Sequence, residues 1–332
     1  MDYFDWYAAY LHRTFPVVDG HRDLVTDIYR RRLKGERGIL NQYYKKEFVK
    51  SGVNLIFASL FLGADELEDC KENGTFSGGT LLKKGMEMLA AFYTDLEETK
   101  GKVQLVTDKE SLLRITPKRC LPIHHRVGIL LYLEGLDVLD GDPELLRCFW
   151  MMGVRGAALT WNDRRNGMEA ITEKGVQALF LMEKLGIFVD SSHLSREAAW
   201  LLPSFTKRPF AATHSNAAAL LDDERNLTDE EIKEIAGREG VIGVNAYHDF
   251  VQDNKSQKPE IEALCDHIVY LMKTAGEDHV GFGLDLGEGT ILTGYGELKR
   301  VTACLLRRGM SIEAVKKVLG RNWIRYLLQI LK

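Results

Sequence analysis

Several classes of protein are excluded by what this sequence lacks. No long apolar run occurs in its 332 residues, so nothing in it reads as a membrane span. The five cysteines, Cys70, Cys120, Cys148, Cys265 and Cys304, are far apart, odd in number and form no CxxC pair. A disulfide framework or a thiolate zinc cluster is therefore not what organises the chain, and a reducing compartment is expected. The seven prolines are scattered, so no Pro-rich linker divides the sequence. Neither sign of charge dominates: 44 Lys and Arg stand against 48 Asp and Glu, a formal net charge of −4. That balance gives no basic footprint for nucleic acid. The opening Met1-Asp2-Tyr3-Phe4-Asp5 carries acids where a secretion signal carries cations. A cytoplasmic protein, without nucleic-acid or membrane partners, is the expectation.

What is present is a rhythm. Short apolar, β-branched runs recur at 15–19, 53–62, 127–134, 154–161, 187–191, 209–213, 240–247 and 279–285. Amphipathic helical stretches separate most of them, as between Thr172 and Leu185. Ser195 and Thr228 read as helix N-caps, and Thr228 has Glu231 three residues on, a capping box. Strands alternating with helices imply parallel pairing, and continuous apolar runs imply strands buried on both faces. Eight such units predict an α/β protein of the (β/α)8 barrel type, with an open doubly wound sheet as the competing architecture. One domain over 1–332 is expected, with a helical insertion around 63–126 and a helical C-terminus after Ser311. Tyr3, Phe4, Trp6, Tyr7 and Tyr10 form an aromatic N-terminal face, expected to pack on the barrel or on a second subunit as a homodimer.

In a barrel the functional residues stand at the C-terminal ends of the strands. Five of the runs end in His, Asp or Glu: Asp19-Gly20-His21-Arg22-Asp23, Leu133-Glu134-Gly135, Asp190-Ser191-Ser192-His193, Thr213-His214-Ser215-Asn216 and Gly283-Leu284-Asp285. His21 and Asp23 are two apart and share a face, so they can bind one divalent ion. His193 and His214, from adjacent strands, can bind another, and Glu134 can bridge the two through its two oxygens. Nitrogen and oxygen ligands without sulfur suit catalytic zinc, manganese or iron. Each piece alone also fits a hydrogen-bonded histidine in a turn. Glu134 is more telling, because a carboxylate buried at the tip of an apolar run costs several kcal/mol unless it is paired or metal-bound.

These strand ends resemble the membrane dipeptidases, zinc peptidases of the renal dipeptidase type. Further motifs extend the resemblance: Gly153-Val154-Arg155 leading to Leu159-Thr160, Arg225-Asn226-Leu227, and 240–245. It covers the chain from about Val17 to Leu328. The resemblance implies a (β/α)8 barrel with two zinc ions on His21, Asp23, Glu134, His193 and His214. It implies dipeptide hydrolysis by a metal-bridging hydroxide, Arg225 gripping the substrate's terminal carboxylate and Asp285 serving as acid and base. The sequence departs from the pattern after the fourth run, where Trp161-Asn162 replaces a histidine that supports the oxyanion, and at Gly287, where an aspartate is usual. Trp161, Asn162 and Tyr247 join Arg225 as expected substrate-facing residues. Two other readings stay open: an N-acyl-amino-acid deacylase on the same centre, kept alive by Trp161, and a barrel that binds metal and ligand without turnover. A metal-dependent isomerase is disfavoured because it has no use for a carboxylate clamp.

Overall fold

The structure, a computed structural model, describes residues 2–72, 74–116, 127–161, 171–253 and 255–332. Seven parallel strands curl into one sheet: β1 (Val17–Arg22), β2 (Val53–Leu60), β3 (Val127–Glu134), β4 (Val154–Ala158), β5 (Phe188–Asp190), β6 (Ile242–Val244) and β7 (Val280–Phe282). Their order around the sheet is β5-β4-β3-β2-β1-β7-β6. The gap between β5 and β6 is spanned by residues 210–213. Ala211 bridges Asp190 and Ala212 bridges Ile242, both parallel. Four backbone bonds serve that segment: Ala211 N–H to Val189 (3.0 Å), Ala212 N–H to Val241 (3.0 Å), Ser191 N–H to Ala211 (2.7 Å) and Gly243 N–H to Ala212 (2.8 Å). The sixth expected run is thus a barrel position that is too short to form a strand of its own.

Helices cover the outside. They include Leu24–Leu33 after β1, Leu146–Met151 after β3, Glu173–Leu185 after β4, Arg196–Leu201 after β5, Glu260–Ala275 after β6 and Leu298–Arg307 after β7. Asp229–Gly237 lies between residues 210–213 and β6, and its capping box joins Thr228 and Glu231 as expected. Ser195 caps Arg196–Leu201. The insertion is helical as expected, with a long helix, Thr80–Glu98, and a short one, Ala64–Glu68, and it holds three further elements. These are a small hairpin (Lys71–Glu72 with Thr75–Phe76), a helix Lys109–Ile115 and a parallel strand Val103–Leu105. That strand has a simple cause. β4 pairs with β3 only from Leu131 onward, so the edge at Val127, Gly128 and Ile129 is free, and Val103–Leu105 takes it.

Two apolar layers hold the barrel. One, between sheet and helices, includes Val17, Ile56, Leu131, Val189 and Leu305. The other fills the interior with Val18, Leu55, Phe57, Leu130, Tyr132, Phe188, Val241 and Trp323. Alternation along each strand sorts the two sets, as between Leu130 and Leu131. The C-terminal region forms Ile312–Lys316, a wider turn at Lys317–Arg321 and Asn322–Ile330. Its Trp323 is fully buried and donates its indole N–H to the Phe282 carbonyl at 2.8 Å. A Cβ on Gly281 would stand 2.5 Å from the Trp323 ring, so only glycine admits the indole there. Of the aromatic N-terminal face, on the helix Tyr3–Thr14, Phe4, Tyr7 and Tyr10 pack on the core, whereas Tyr3 and Trp6 are exposed.

That helix is pinned by His12, buried between the Ser51 carbonyl and the Thr302 hydroxyl, each 2.9 Å away. Burial pushes its pKa down to about 4, although the Ser51 carbonyl favours the proton. The folded state therefore binds this proton less readily than the unfolded chain, and stability falls as pH drops from about 6.5 towards 4. At pH 4.5 the group should cost on the order of 2–3 kcal/mol relative to pH 7. Urea unfolding of wild type and His12→Gln at both pH values checks this. The variant should lose less stability on acidification, and equal losses would show that His12 is not acid-sensitive.

Candidate active site

The chain's polar side chains gather where the strands end. Pairing of β1 with β2 shifts register between Asp19 and Arg22. Such a bulge re-aims the side chains that follow it, and His21 turns into the barrel mouth with Asp23 beyond it. Glu134 reaches the same place because it follows Leu130 and Tyr132 at period two on the interior face of β3. His193 and His214 close the opposite side. His21 Nε2 lies 3.3 Å from Asp23 Oδ1, 3.6 Å from Glu134 Oε2 and 3.4 Å from Asp285 Oδ1. The other oxygen of Glu134 faces the other histidines, 2.8 Å from His193 Nε2 and 3.6 Å from His214 Nε2. Those two nitrogens are 2.8 Å apart.

Neighbouring groups fix the orientation of these side chains. Asp190 accepts the Ser192 and Thr213 amide N–H groups, at 3.0 and 2.8 Å, together with the Thr213 hydroxyl. With its proton on Asp190, the Thr213 oxygen accepts His214 Nδ1–H at 2.7 Å, so Nε2 presents a lone pair to the centre. Ser59 donates to Asp23 Oδ1 at 2.7 Å, and the Tyr132 hydroxyl meets His21 Nδ1. Asn245 donates to Asp285 Oδ2 at 3.3 Å. Tyr132, Ser59 and Asn245 had no assigned role in the sequence. Tyr132 and Ser59 were findable, since they stand two before Glu134 and two after the interior residue Phe57. His193 (φ 69°) and Asp285 (φ 53°) both hold left-handed backbones, which cost energy in residues other than glycine.

The electrostatics split the cluster in two. Burial alone would depress the pKa of His21, but Glu134, Asp285 and Asp23 around it raise it to about 10. Burial pushes His193 and His214 well below the usual range, and nearby cations add to this, so both are neutral. Burial drives Glu134 far up. Burial also lifts Asp285, with help from Asp23, to about 6 against the opposing pull of His21 and Arg225.

The remaining expected residues stand around this centre. Arg225 Nη2 is 3.3 Å from His193 Nε2 and 3.4 Å from the His214 carbonyl, and its guanidinium lies over the Phe250 ring, 5.5 Å from the centroid. Among the described residues it forms no ion pair with Asp222 or Glu224, and its Nε is buried without a partner. The Trp161 ring packs beside Phe61 at 5.4 Å and near His193 at 6.2 Å. Tyr247 stands farther out, its ring 4.9 Å from that of Phe250. Asn162 lies outside the described residues.

Three overlapping ligand groups result: His21, Asp23 and Glu134; Glu134, His193 and His214; and His21, His214 and Asp285. The donor atoms of each lie within 4.8 Å of one another. A divalent ion fits this set. Glu134 Oε2 is buried with no hydrogen-bond partner, and an orphaned carboxylate oxygen among further nitrogen and oxygen donors is what a cation would satisfy.

The profile of the membrane dipeptidase family, peptidase family M19, matches residues 7–331. The chain belongs to that family. It is a metallo-dipeptidase, a hydrolase of peptide bonds. An uncharacterised protein encoded in the pqqA 5′ region of Klebsiella pneumoniae is 30% identical over 223 residues, covering 61% of this chain and 82% of that one. An uncharacterised dipeptidase of Schizosaccharomyces pombe is 33% identical over 172 residues, 48% of this chain and 41% of its own length. A metallopeptidase of Rhodobacter sphaeroides, liganded with a phosphinate mimic of the dipeptide L-Ala-D-Ala, shares the fold. Its TM-score is 0.82 at 20% identity, over 96% of this chain and 99% of that one. Among the described residues of this dipeptidase no helix is long and apolar enough to cross a membrane.

Because only the fold brings these side chains within 4.8 Å of one another, a metal they bind should stabilise the folded dipeptidase. Zinc or manganese at about 100 times its dissociation constant should add about 2.7 kcal/mol to the stability of chelator-treated protein. His214→Ala should lose most of that increment. Thermal melts with and without metal check this, and an equal rise in the variant would place the binding elsewhere.

Proposed function

We propose that this metallo-dipeptidase hydrolyses dipeptides bearing a free C-terminal carboxylate, at a centre of two divalent ions, zinc being the best match to the ligands. One observation carries the reading: the two oxygens of Glu134 face different ligand sets, Oε2 towards His21 and Oε1 towards His193 and His214. One ion would sit among His21, Asp23 and Glu134, and the other among Glu134, His193 and His214. Bound there, the ions supply Lewis acidity for the scissile carbonyl and a water whose pKa falls to about 7.

The protein's own residues do the rest. Arg225 receives the substrate carboxylate. Burial disfavours its charge, with Asp285 and Glu134 the main carboxylates opposing that, and its Nε is still unpartnered, so an incoming anion completes it. Phe250 supports the guanidinium plane from below. Asp285, with a pKa of about 6, is ionised at neutral pH yet basic enough to take a proton from the attacking water. It then delivers that proton to the leaving amine. Asn245 holds Oδ2 and leaves Oδ1 facing the centre. The dipeptide mimic bound by the Rhodobacter enzyme is of the proposed substrate size.

A second reading keeps the centre and changes the substrate to an N-acyl amino acid. Trp161 favours it: an indole beside Phe61 makes an aromatic wall where the family pattern has an imidazole, and it offers no positive charge to an oxyanion.

Arg225→Ala should lower kcat/KM on a free dipeptide by about 2–4 kcal/mol and far less on the same dipeptide amidated at its C-terminus. The comparison is run with L,L- and L,D-dipeptides and N-acyl amino acids in parallel. Equal losses on free and amidated substrates would make Arg225 structural.

At Trp161, replacement by Phe should leave hydrolysis within about threefold if the ring acts by shape. Trp161→His should raise dipeptide turnover relative to N-acyl substrates. Steady-state kinetics on both variants decides, and loss of all hydrolysis in Trp161→Phe with metal still bound would make the indole N–H catalytic.

A further inference from the structure

Arg22 lies between two residues of the centre, His21 and Asp23, yet takes no part in the centre itself. Side chains alternate along extended backbone, so Arg22 points to the face opposite its neighbours. Asp19, one residue before the interior Gly20, points to that same outer face, on the near side of the bulge. Both reach the chain that follows β7. Asp19 Oδ1 accepts the Leu284 N–H at 2.8 Å, and Arg22 Nη1 donates to the Leu286 carbonyl. Between those two anchored residues sits Asp285, left-handed at φ 53°. Nothing in its own side chain relieves that conformation, because its carboxylate is turned to His21 and Asn245.

We propose that Arg22, together with Asp19, is a positioning residue that holds the backbone on both sides of Asp285 and so aims its carboxylate. This rests on the reading of Asp285 as the acid and base. The arginine is well suited to the task. Its guanidinium lies 5.6 Å from the Tyr44 ring centroid, which braces it. Asp19 is braced in turn by the Tyr295 hydroxyl on its second oxygen. A charged donor on a carbonyl is stronger than a neutral one, and the fork has directional preference that a lysine lacks. Two ties from one strand fix the two residues flanking Asp285. A single tie would leave the left-handed residue free to relax towards ordinary backbone.

The test uses the metal-loaded full chain in five forms: wild type, Arg22→Met, Arg22→Lys, Asp285→Asn, and Arg22→Met with Asp285→Asn. Hydrogen exchange followed by mass spectrometry reads the tether without reference to activity. Arg22→Met should speed exchange about tenfold or more in the peptide spanning 283–290 and leave peptides from β2 and β3 unchanged. Kinetics on L-Ala-D-Ala and L-Ala-L-Ala should show kcat lowered about 30–100-fold, the scale of a misplacement near 1 Å. KM should stay within about threefold, metal content should stay at wild-type level, and Arg22→Lys should recover part of the loss. In the Asp285→Asn background, Arg22→Met should cost less than threefold more, because the group it aims is already gone. Unchanged exchange at 283–290, or losses that multiply in the double variant, would overturn the positioning role. Full activity of Asp285→Asn would overturn the acid–base reading and with it the catalytic meaning of the tether, while the exchange result stays legible by itself.

Discussion

A carboxylate placed at the end of an apolar strand, with its two oxygens turned to different neighbours, constrains everything around it. Glu134 is buried, and it terminates a strand whose other residues are all packed. Ionised and alone it would be costly by several kcal/mol. The protein surrounds it with three imidazoles instead, one on the side of Oε2 and two on the side of Oε1. Those imidazoles come from three separate strand ends, so the sheet must curl until the strand carrying His21 and the segment carrying His214 face each other. The closing bridges at residues 211 and 212 belong to the same requirement. They set His214 beside His193 and give Thr213 the position from which it orients the ring.

The barrel shows a division of labour along its axis. Below the site the interior is apolar and close-packed, with Trp323, Phe188 and Tyr132 filling it and glycine admitting the indole where backbone must approach. At the strand ends the same interior positions turn polar: Leu130 and Tyr132 give way to Glu134, Phe57 to Ser59, and Phe188 to Asp190. The apolar floor supplies the folding free energy. It also supports a polar centre that is costly by itself, including two non-glycine residues in left-handed backbone.

Much of this was legible in the sequence because both periodicities are strong there. The eight runs mark all eight barrel positions, and the five polar strand ends converge as their order implies. The bounds were less legible. The first run is read as ending at Asp19 although the strand continues to Arg22, since His, Arg and Asp look like a loop when only hydrophobicity is weighed. The runs 240–247 and 279–285 shrink to three-residue strands, because beyond them the chain bends to aim Asn245 and Asp285. Val103–Leu105 was missed for the opposite reason. Its pairing depends on a free edge created by the short β4, a fact of tertiary geometry with no local signal. The tie between Arg22 and Leu286 joins residues 264 apart in sequence, beyond any periodicity.

Charge balance explains why such a centre can exist without dissolving the fold. Three carboxylates, Asp23, Glu134 and Asp285, converge on His21 Nε2. Left uncompensated, they would repel one another in a medium far less screening than water. A proton on His21, whose pKa these carboxylates raise to about 10, offsets part of that charge. His193 and His214 are kept neutral by burial, so their lone pairs are already available. Under the proposed function, a divalent ion held there would displace the His21 proton, because metal ligands bind deprotonated, and would bring a larger charge to the same carboxylates. The carboxylates require a cation at this point, and the apolar interior beneath holds the strand ends that carry them.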